Sequence, residues 1–481
     1  MPLRRHPFSI AGRALLTLAL ASSGAFAADP TDSARTAKPP PSKPLRPGPP
    51  RYLDQYKYLA DTDTTARTWL DSLHFIELPR DSYLSLGGGG RARYESYENP
   101  AFGLAGVDHD GYFQTRAELH ADLHLLDDAL RAFVQINDTR SWDKKLRGPV
   151  DESHTEVAQA FVDFGFPQSG PGKGTLRFGR QQMSFGEGVL VTTRLVPNVR
   201  LSFDGFRLSV ADDRGDSLDA FAVRPVDNLR TGSFDDSSQN AGSFYGLYGT
   251  VAWHDGISQD LYAFGYKRDQ RTIAGQTGDE TRNTLGTRLF GTLANVDYTV
   301  DLMYQTGDFD DRDISAWGVS SSYGYTFKDA PAHPGIALRL DAASGDDDPN
   351  DGTLRTFDPL FPSNGRFYGN GEYTTLANLV VVGPQFAVSP FKTLTFSPTI
   401  LSLWKQAEND AVYLPAMRTV PGTQDTGGRH IGMSYDLFAR WTPTDLITID
   451  FEYQYYDVDG AIERAGGEDS QYFSVRTHLL F

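Results

Sequence analysis

The chain contains no cysteine and, beyond its first residues, no long hydrophobic run. The absence of cysteine excludes a disulfide framework, a thiolate metal site and a lipoprotein anchor. A membrane-spanning helix needs about 20 consecutive apolar residues, so the sequence also argues against a helical inner-membrane protein. A formal net charge of -17 disfavours nucleic acid as a partner. Methionine is scarce, whereas glycine and tyrosine are plentiful, a composition typical of many strands joined by tight turns.

The first 27 residues have the pattern of an export signal. Arginines at positions 4, 5 and 13 give a basic start, Ala14 to Ala21 form a short apolar core, and Ala25-Phe26-Ala27 is an A-x-A cleavage site. The Arg4-Arg5 pair also fits the twin-arginine route, which we disfavour because nothing in the sequence indicates a cofactor inserted before export. We therefore predict a signal peptide over residues 1–27, and no cofactor.

The segment after the signal is rich in proline, lysine and arginine. Residues 28–52 include Lys38-Pro39-Pro40-Pro41, a composition that predicts an extended periplasmic tether. Residues 53–80 contain Trp69 and Phe75 and predict a turn of helix or a short cap. The predicted divisions are a signal peptide (1–27), a Pro-rich periplasmic N-terminal segment (28–80) and a large C-terminal domain (81–481).

Residues 113–125 alternate without exception between an apolar and a polar set. Because a β-strand sends successive side chains to opposite faces, this segment has one apolar face and one charged face. Its length suits a tilted membrane-spanning strand, which needs about 9–11 residues. Similar segments predict about 18 strands, near residues 83–97, 111–126, 129–139, 156–164, 174–181, 204–211, 217–226, 243–253, 258–267, 282–291, 295–305, 315–327, 335–344, 376–386, 392–406, 429–442, 446–458 and 469–481.

The connectors between these strands alternate between short and long. Tight turns near 126–128, 212–215, 254–256, 292–294 and 442–445 separate long polar stretches at 98–110, 140–155, 182–203, 227–242, 268–281, 306–314, 345–375, 407–428 and 459–468. Outer-membrane barrels have short periplasmic turns and long outer loops. We therefore predict that residues 81–481 form an outer-membrane β-barrel, with an all-β, antiparallel transmembrane fold. The soluble alternative is a secreted β-sandwich or β-helix, but a sandwich has no reason to keep this phase. The final strand ends in Phe481 and resembles the signal read by the barrel-assembly machinery.

Arginines within the strands identify the lumen face. A Lys or Arg on the lipid face costs about 2–4 kcal/mol at mid-membrane, so these side chains are expected inside. They are Arg91, Arg93, Arg116, Arg131, Arg177, Arg207, Arg288, Arg339, Arg440 and Arg476. Guanidinium groups attract anions and hold carboxylates through paired hydrogen bonds. The alternative is that lumen acids such as Glu118, Asp163 and Asp450 balance them, so that they only stiffen the wall. By its length, loop 345–375 is the candidate gate.

Three passages resemble the alginate-export family of outer-membrane porins. They are Leu176-Arg177-Phe178-Gly179-Arg180-Gln181, the first strand from Leu86 to Glu95, and Trp404-Lys405 with the residues that follow. The resemblance covers residues 53–481 and implies an 18-stranded monomeric barrel whose basic lumen passes an anionic polysaccharide. It makes Arg91, Arg93, Arg177, Arg180 and Lys405 pore-lining candidates. Arg180 has the opposite parity to Arg177 and reaches the lumen only if the strand bulges or ends at Gly179.

The leading hypothesis is a passive outer-membrane porin that passes an anionic polysaccharide or its oligomers, with alginate as the implied substrate. A general or small-solute porin is the second hypothesis, and an outer-membrane enzyme or a structural barrel is the third. We predict no enzyme, because His120 and His124 face the lumen rather than the membrane edge. We predict no metal, because Asp346 to Gly352 lacks the spacing of a calcium loop. The expected partners are outer-membrane lipid, an anionic carbohydrate and the barrel-assembly machinery.

Overall fold

The computed structural model describes residues 49–61, 67–167, 172–229, 232–254, 256–424 and 426–481. The predicted signal peptide and the first part of the Pro-rich segment, residues 1–48, lie outside the described residues. Within these ranges, eighteen long strands follow one another along the chain. They are β1 (Ser82–Glu98), β2 (His109–Leu125), β3 (Leu130–Trp142), β4 (Ser153–Pro167), β5 (Gly172–Gln181), β6 (Phe203–Asp212), β7 (Ser217–Asp227), β8 (Gly242–His254), β9 (Ile257–Ile273), β10 (Gln276–Leu293), β11 (Val296–Phe309), β12 (Arg312–Thr326), β13 (Gly335–Ala343), β14 (Leu379–Phe391), β15 (Leu394–Trp404), β16 (His430–Thr444), β17 (Ile447–Val458) and β18 (Ser470–Leu480).

These strands form one closed antiparallel β-barrel, which confirms the predicted fold class. Each strand pairs with the next along the chain, and β18 pairs back onto β1 from Gly89↔Leu480 to Glu98↔Gln471. The start of β1 is paired instead with a short strand, Ile76–Leu78, which lies beside Ser82 to Leu84. Closure removes the free sheet edges that an open sheet of this size would expose.

Alternation along each strand separates an apolar outer surface from a polar lumen. In β2, Leu119 on the outer face is 62% exposed, whereas its neighbours Glu118 and His120 are buried. Tyr94, Phe178, Phe206 and Leu247 are exposed in the same way on other strands. An outward apolar band with a polar interior is the arrangement of membrane-spanning barrels and the reverse of that in a soluble protein.

The two ends of the barrel differ in their connections. At one end, here the turn end, the strands are joined by segments of two to eight residues: 126–129, 168–171, 213–216, 255–256, 294–295, 327–334, 392–393 and 445–446. At the opposite end, the loop end, the longest connections are 182–202, 344–378 and 405–429. The predicted alternation of short and long connectors is therefore present except at 274–275 and 310–311, where the loop-end connections have two residues. The turn end corresponds to the periplasmic side of outer-membrane barrels.

Two of the predicted loops, 268–281 and 306–314, are wrong. The strands continue through them, with β9 and β10 joined by Ala274-Gly275 and β11 and β12 by Asp310-Asp311. Charged residues suggested loops here, but Arg268 faces inward and pairs with Glu280 and with Asp358, 2.6 Å away. A small core of Ile273, Phe309, Ile314 and Leu354 supports the two hairpins.

Helices contribute little to the wall. The α-helices are α1 (Trp69–His74), α2 (Asn364–Tyr368) and α3 (Gly460–Glu463), and 3-10 turns span Arg51–Leu53, Lys57–Asp61 and Pro415–Met417. Short strands at Ser237–Ser238, Thr353–Leu354, Tyr413–Leu414 and Arg418–Thr419 lie within the loops. The helical turn expected near Trp69 is α1, which begins at a capping box between Thr68 and Asp71. Across the described ranges, all helices are too short or too polar to span a membrane.

Two long loops fold into the barrel and bring the main hydrophobic core with them. Loop 182–202 and loop 344–378 join there: the Thr192 amide donates to the Phe361 carbonyl at 3.1 Å, and the Phe361 amide donates to the Leu190 carbonyl at 2.8 Å. Both loops pack on inward-facing aromatic residues, among them Phe221, Phe244 and Phe264. The longer loop contains the predicted gate, and its gating stays a prediction.

Candidate functional site

A cavity of about 990 Å³ lies inside the barrel beside the inserted loops. One wall of the cavity is formed by strands β12 to β16, which present short hydroxyl side chains. These are Ser320, Ser322, Thr326, Ser389, Thr395, Ser397, Thr399 and Ser434. Short side chains leave room, and hydroxyl groups both donate and accept hydrogen bonds. This wall therefore suits water and a hydroxylated solute.

Charged side chains of both signs line the same cavity. The cations are Arg91, Arg116, Arg200, Lys328, Arg339, Arg366, Arg440 and Arg476, and the acids are Glu187, Asp297, Asp301, Asp436, Asp450 and Glu452. The lining is thus mixed, with a small excess of cations and several guanidinium groups. A solute carboxylate meets hydrogen-bond donors along the cavity, but it does not meet a uniformly positive surface.

Of the predicted pore residues, Arg91 and Arg116 line the cavity where it meets loop 182–202. Arg91 donates from Nη1 to the Leu195 carbonyl at 2.9 Å and from Nη2 to Asn198 Oδ1 at 2.8 Å. Arg116 lies 2.8 Å from Glu118 and donates to the Asn198 carbonyl at 3.2 Å. Both arginines hold the loop in place, so they shape the cavity besides contributing charge.

Arg339 on β13 and Arg440 on β16 line the cavity on the wall that carries the hydroxyl side chains. Arg339 lies 2.6 Å from Asp341 and donates to Ser320 Oγ at 2.8 Å. Arg440 makes two hydrogen bonds to Asp450, at 2.8 and 3.1 Å. Each guanidinium is therefore balanced by an acid on a neighbouring or the same strand, which was the alternative that the sequence left open.

Five other predicted residues face inward but do not line the cavity: Arg93, Arg131, Arg177, Arg288 and Arg207, which lies 2.8 Å from Asp219. Arg93 pairs with Glu95 at 3.1 Å, and Arg288 pairs with Asp260 at 2.6 Å. Arg131 and Arg177 both contact Tyr52, and each also binds an aspartate. For Arg131 the partner is Asp122 at 2.7 Å, and for Arg177 it is Asp163 at 2.7 and 2.8 Å.

Arg180 and Lys405 lie outside the cavity lining. Strand β5 pairs with both neighbours without a register shift through Gly179, so Arg180 keeps the parity of the outward Phe178. Its guanidinium donates to Asp204 at 2.8 and 3.0 Å. Lys405 is 1% exposed, and its ammonium donates to main-chain carbonyls of loop 405–429. We infer that Arg180 secures the wall and Lys405 secures that loop.

Residues 49–53 lie in the lumen, a position that the prediction of a periplasmic tether over residues 28–52 did not anticipate, and Lys57 pairs with Asp127 at the turn end. Tyr52 lies against Phe133 and Phe161, with ring centroids 6.1 and 5.4 Å apart, and the Arg177 guanidinium lies 4.2 Å from its ring centroid. The Tyr52 hydroxyl donates to the Gln182 carbonyl at 3.0 Å, at the root of an inserted loop.

The same segment also narrows the cavity. Pro49, Pro50 and Leu53 are part of its lining, and Arg131 donates to the Tyr52 carbonyl at 2.5 Å. Nothing in the sequence around Tyr52 indicates this position, because every partner lies far along the chain. Arg200 and Arg366 were missed for a related reason: they lie on loops, where strand parity makes no prediction.

Two groups of acidic side chains are candidate metal ligands. In the part of the chain that the structure describes, Glu156, Asp235 and Asp236 have carboxylate oxygens within 4.8 Å of one another. Glu156 accepts hydrogen bonds from the main-chain amides of both aspartates, which explains the grouping without an ion. The carboxylate of Asp346, in the acidic stretch considered above, lies 3.8 Å from Arg312 and 3.6 Å from Arg355. We therefore assign no metal to either group.

A family model described as "Alginate export" matches residues 82–476. The chain belongs to the alginate export family. No curated protein sequence matches it. Among solved structures, OpdQ of Pseudomonas aeruginosa is similar at 14% identity and a TM-score of 0.54, covering 85% of this chain and 98% of OpdQ. OpdK of the same organism, solved with vanillate, is similar at 11% identity and a TM-score of 0.55, covering 85% and 99% of the two chains.

A third similar structure is OccAB1 of Acinetobacter baumannii, at 10% identity and a TM-score of 0.53, covering 83% of this chain and 96% of that one. At these identities the likeness shows the barrel fold. Together with membership of the alginate export family, it identifies an outer-membrane porin rather than an enzyme. The protein is located in the bacterial outer membrane, and the apolar outer band of the barrel faces its lipid. The resemblance seen in the sequence is confirmed.

Proposed function

We propose that this porin passes anionic carbohydrates, namely alginate or, more exactly, its short uronate oligomers. The observation that carries the proposal is that guanidinium groups and the short hydroxyl side chains of serine and threonine line the same cavity. A uronate residue carries one carboxylate and several hydroxyl groups. Arginine binds the first through charge-assisted hydrogen bonds, and short hydroxyl side chains exchange hydrogen bonds with the second.

The size of the cavity favours oligomers over a bulky polymer. A volume of about 990 Å³ is at the upper end of the roughly 300–1,000 Å³ of pockets that enclose drug-sized molecules. Residues 49–53 and two inserted loops occupy part of the remaining lumen. An extended oligomer of a few sugars fits these dimensions.

The mixed charges are compatible with passage rather than tight binding. Arg339, Arg440 and Arg476 are each balanced by an acid, at 2.6 to 2.8 Å. A solute carboxylate must therefore compete with protein carboxylates for each guanidinium. Weak contacts at several positions let a solute enter and leave, as conduction requires.

The test is ion selectivity in planar bilayers containing the purified full-length porin. We expect anion-selective current that is reduced while oligouronates of two to about four residues occupy the pore. Neutral oligosaccharides of the same length are the matched control and should reduce the current less. Cation-selective current that is indifferent to oligouronates would reject the proposal.

A small-solute porin is the second candidate. It is favoured by the similarity to OpdK, a structure solved with the small aromatic carboxylate vanillate. The same barrel would then admit monomeric carboxylates and reject oligomers. Liposome swelling with a monomeric uronate, a dimer and a trimer separates the candidates, because only the first proposal predicts entry of all three.

A further inference from the structure

Two charged side chains on the inserted loops, Arg194 and Glu372, lack an oppositely charged partner within 4.0 Å among the described residues, and the Arg194 guanidinium lies 5.7 Å from the Phe361 ring centroid. Arg194 lies on loop 182–202 and Glu372 on loop 344–378, and within the described ranges neither side chain makes a hydrogen bond. Their loop neighbours behave differently. Glu187, for example, bridges Arg288 and Arg366.

Both residues are held in an unusual backbone conformation. Arg194 has φ 56° and Glu372 has φ 53°, in the left-handed region that non-glycine residues rarely adopt. Such positions persist only where the surroundings fix them, and they concentrate at functional sites. Here the Leu201 amide donates to the Thr193 carbonyl at 3.1 Å, and the Glu372 amide donates to the Gly369 carbonyl at 3.2 Å. The two side chains are thus presented by backbone that is held in place.

The pair lies on the loop-end side of the cavity. Thr193 and Leu195 line the cavity, but Arg194 between them does not, and Asn370 lines it whereas Glu372 does not. Besides Glu372, the charges that act on Arg194 are those of Asp358 and Arg271, near the loop end. Glu372 is acted on by Arg194 and, more weakly, by Glu95, Arg93 and Lys144. Each residue is the strongest charged influence on the other.

We propose that Arg194 and Glu372 form the outer recognition site of the pore, for a solute that carries a carboxylate beside hydroxyl groups. Arg194 donates to the carboxylate, and Glu372 accepts hydrogen bonds from the hydroxyls. Because Glu372 repels a carboxylate, it also orients the solute, with the carboxylate turned toward Arg194. The inference rests on the proposed function and assigns its selectivity to two residues.

The test uses matched probes in liposomes that contain the full-length porin. Glucuronate and glucose differ in the carboxylate, whereas glucuronate and propionate share the carboxylate but differ in the hydroxyls. Arg194→Gln should lower the glucuronate-to-glucose permeability ratio about tenfold, as expected for the loss of one charge-assisted contact. Glu372→Gln should keep that ratio or raise it, and should lower the glucuronate-to-propionate ratio by about twofold to fivefold.

Arg214→Gln is the control, because Arg214 lies in a turn-end connection with 79% of its side chain exposed. Circular dichroism and heat-modified gel mobility would verify that each variant folds. If wild-type porin prefers glucuronate and Arg194→Gln keeps the full preference, the recognition site is rejected while the proposed function stands. If wild type itself shows no preference for glucuronate, both are rejected. An unchanged glucuronate-to-propionate ratio in Glu372→Gln rejects the role of Glu372.

Discussion

The ring of Tyr52 covers the guanidinium of Arg177, whose central carbon lies 4.2 Å from the ring centroid. An arginine that strand parity assigns to the pore wall is thereby shielded by a residue that precedes the barrel by thirty positions. The position of an arginine on the lumen face therefore does not by itself show that a solute in the pore contacts it. The N-terminal segment covers Arg177, and inserted loop 182–202 contacts Arg91 and Arg116.

Shortening Tyr52 should widen the pore. Tyr52→Ala removes the ring that packs on Phe133 and Phe161, and loss of a buried aromatic side chain costs about 3–5 kcal/mol. We expect residues 49–53 to leave the lumen part of the time, and single-channel conductance to rise. Trp69→Ala is the control, since Trp69 is 65% exposed. Conductance that equals the wild-type value in Tyr52→Ala would show that the segment does not limit flow.

Arg177 should matter for stability more than for selectivity. It binds Asp163 through two hydrogen bonds, so Arg177→Ala leaves this buried carboxylate with Arg131 alone, 3.9 Å away, a change that costs up to about 3–5 kcal/mol. We expect a lower unfolding midpoint in urea and little change in the ratio of anion to cation permeability. Combining Arg177→Ala with Asp163→Ala should recover much of the lost stability. A large selectivity change without a stability change would contradict this assignment.

The hydroxyl wall should tolerate little bulk. Ser397 lines the cavity, and replacing it with tryptophan fills space that a solute would otherwise use. We expect Ser397→Trp to lower conductance severalfold while the barrel still assembles, because the strand register is unchanged. Ile400→Trp, on the opposite face of the same strand, should conduct normally. Equal conductance in the two variants would place the open path elsewhere in the lumen.

Anion current should depend on pH near neutrality. Burial raises the pKa of Glu372 to about 7, although Arg194, Arg93 and Lys144 act in the opposite direction and Glu95 adds to the rise. A raised pKa favours the neutral acid, so Glu372 is mostly protonated below about pH 6 and mostly ionised above about pH 8. Anion selectivity should therefore fall as the pH rises through this range. Glu372→Gln should weaken the dependence, and a dependence that is unchanged in this variant would assign the titration to another group.

Strand parity sufficed to predict the wall. The alternation around Arg116, and the same pattern on the other strands, predicted eighteen strands and the faces of their arginines, because the lipid penalizes any other arrangement. Parity also indicated that Arg180 would miss the lumen unless Gly179 interrupted the strand, and the register is uninterrupted there.

The contents of the lumen could not be predicted in this way. Tyr52, loop 182–202 and loop 344–378 are held by contacts with residues that are distant along the chain, and no local pattern encodes such contacts. The sequence does not predict the hairpins at 268–281 and 306–314, because their many charged residues suggest solvent-exposed loops. In a water-filled barrel, charged residues such as Arg268 and Glu280 are also wall residues.

The short strand Ile76–Leu78 has a consequence for any shortened form of the porin. It hydrogen-bonds along the first three residues of β1, on the flank where β18 does not reach because the seam between the two strands begins only at Gly89. A version trimmed to start at Ser82 would leave amide and carbonyl groups bare on that flank, ready to recruit a strand from a neighbouring molecule. We therefore expect N-terminal truncation to promote self-association of the porin through this exposed strand edge.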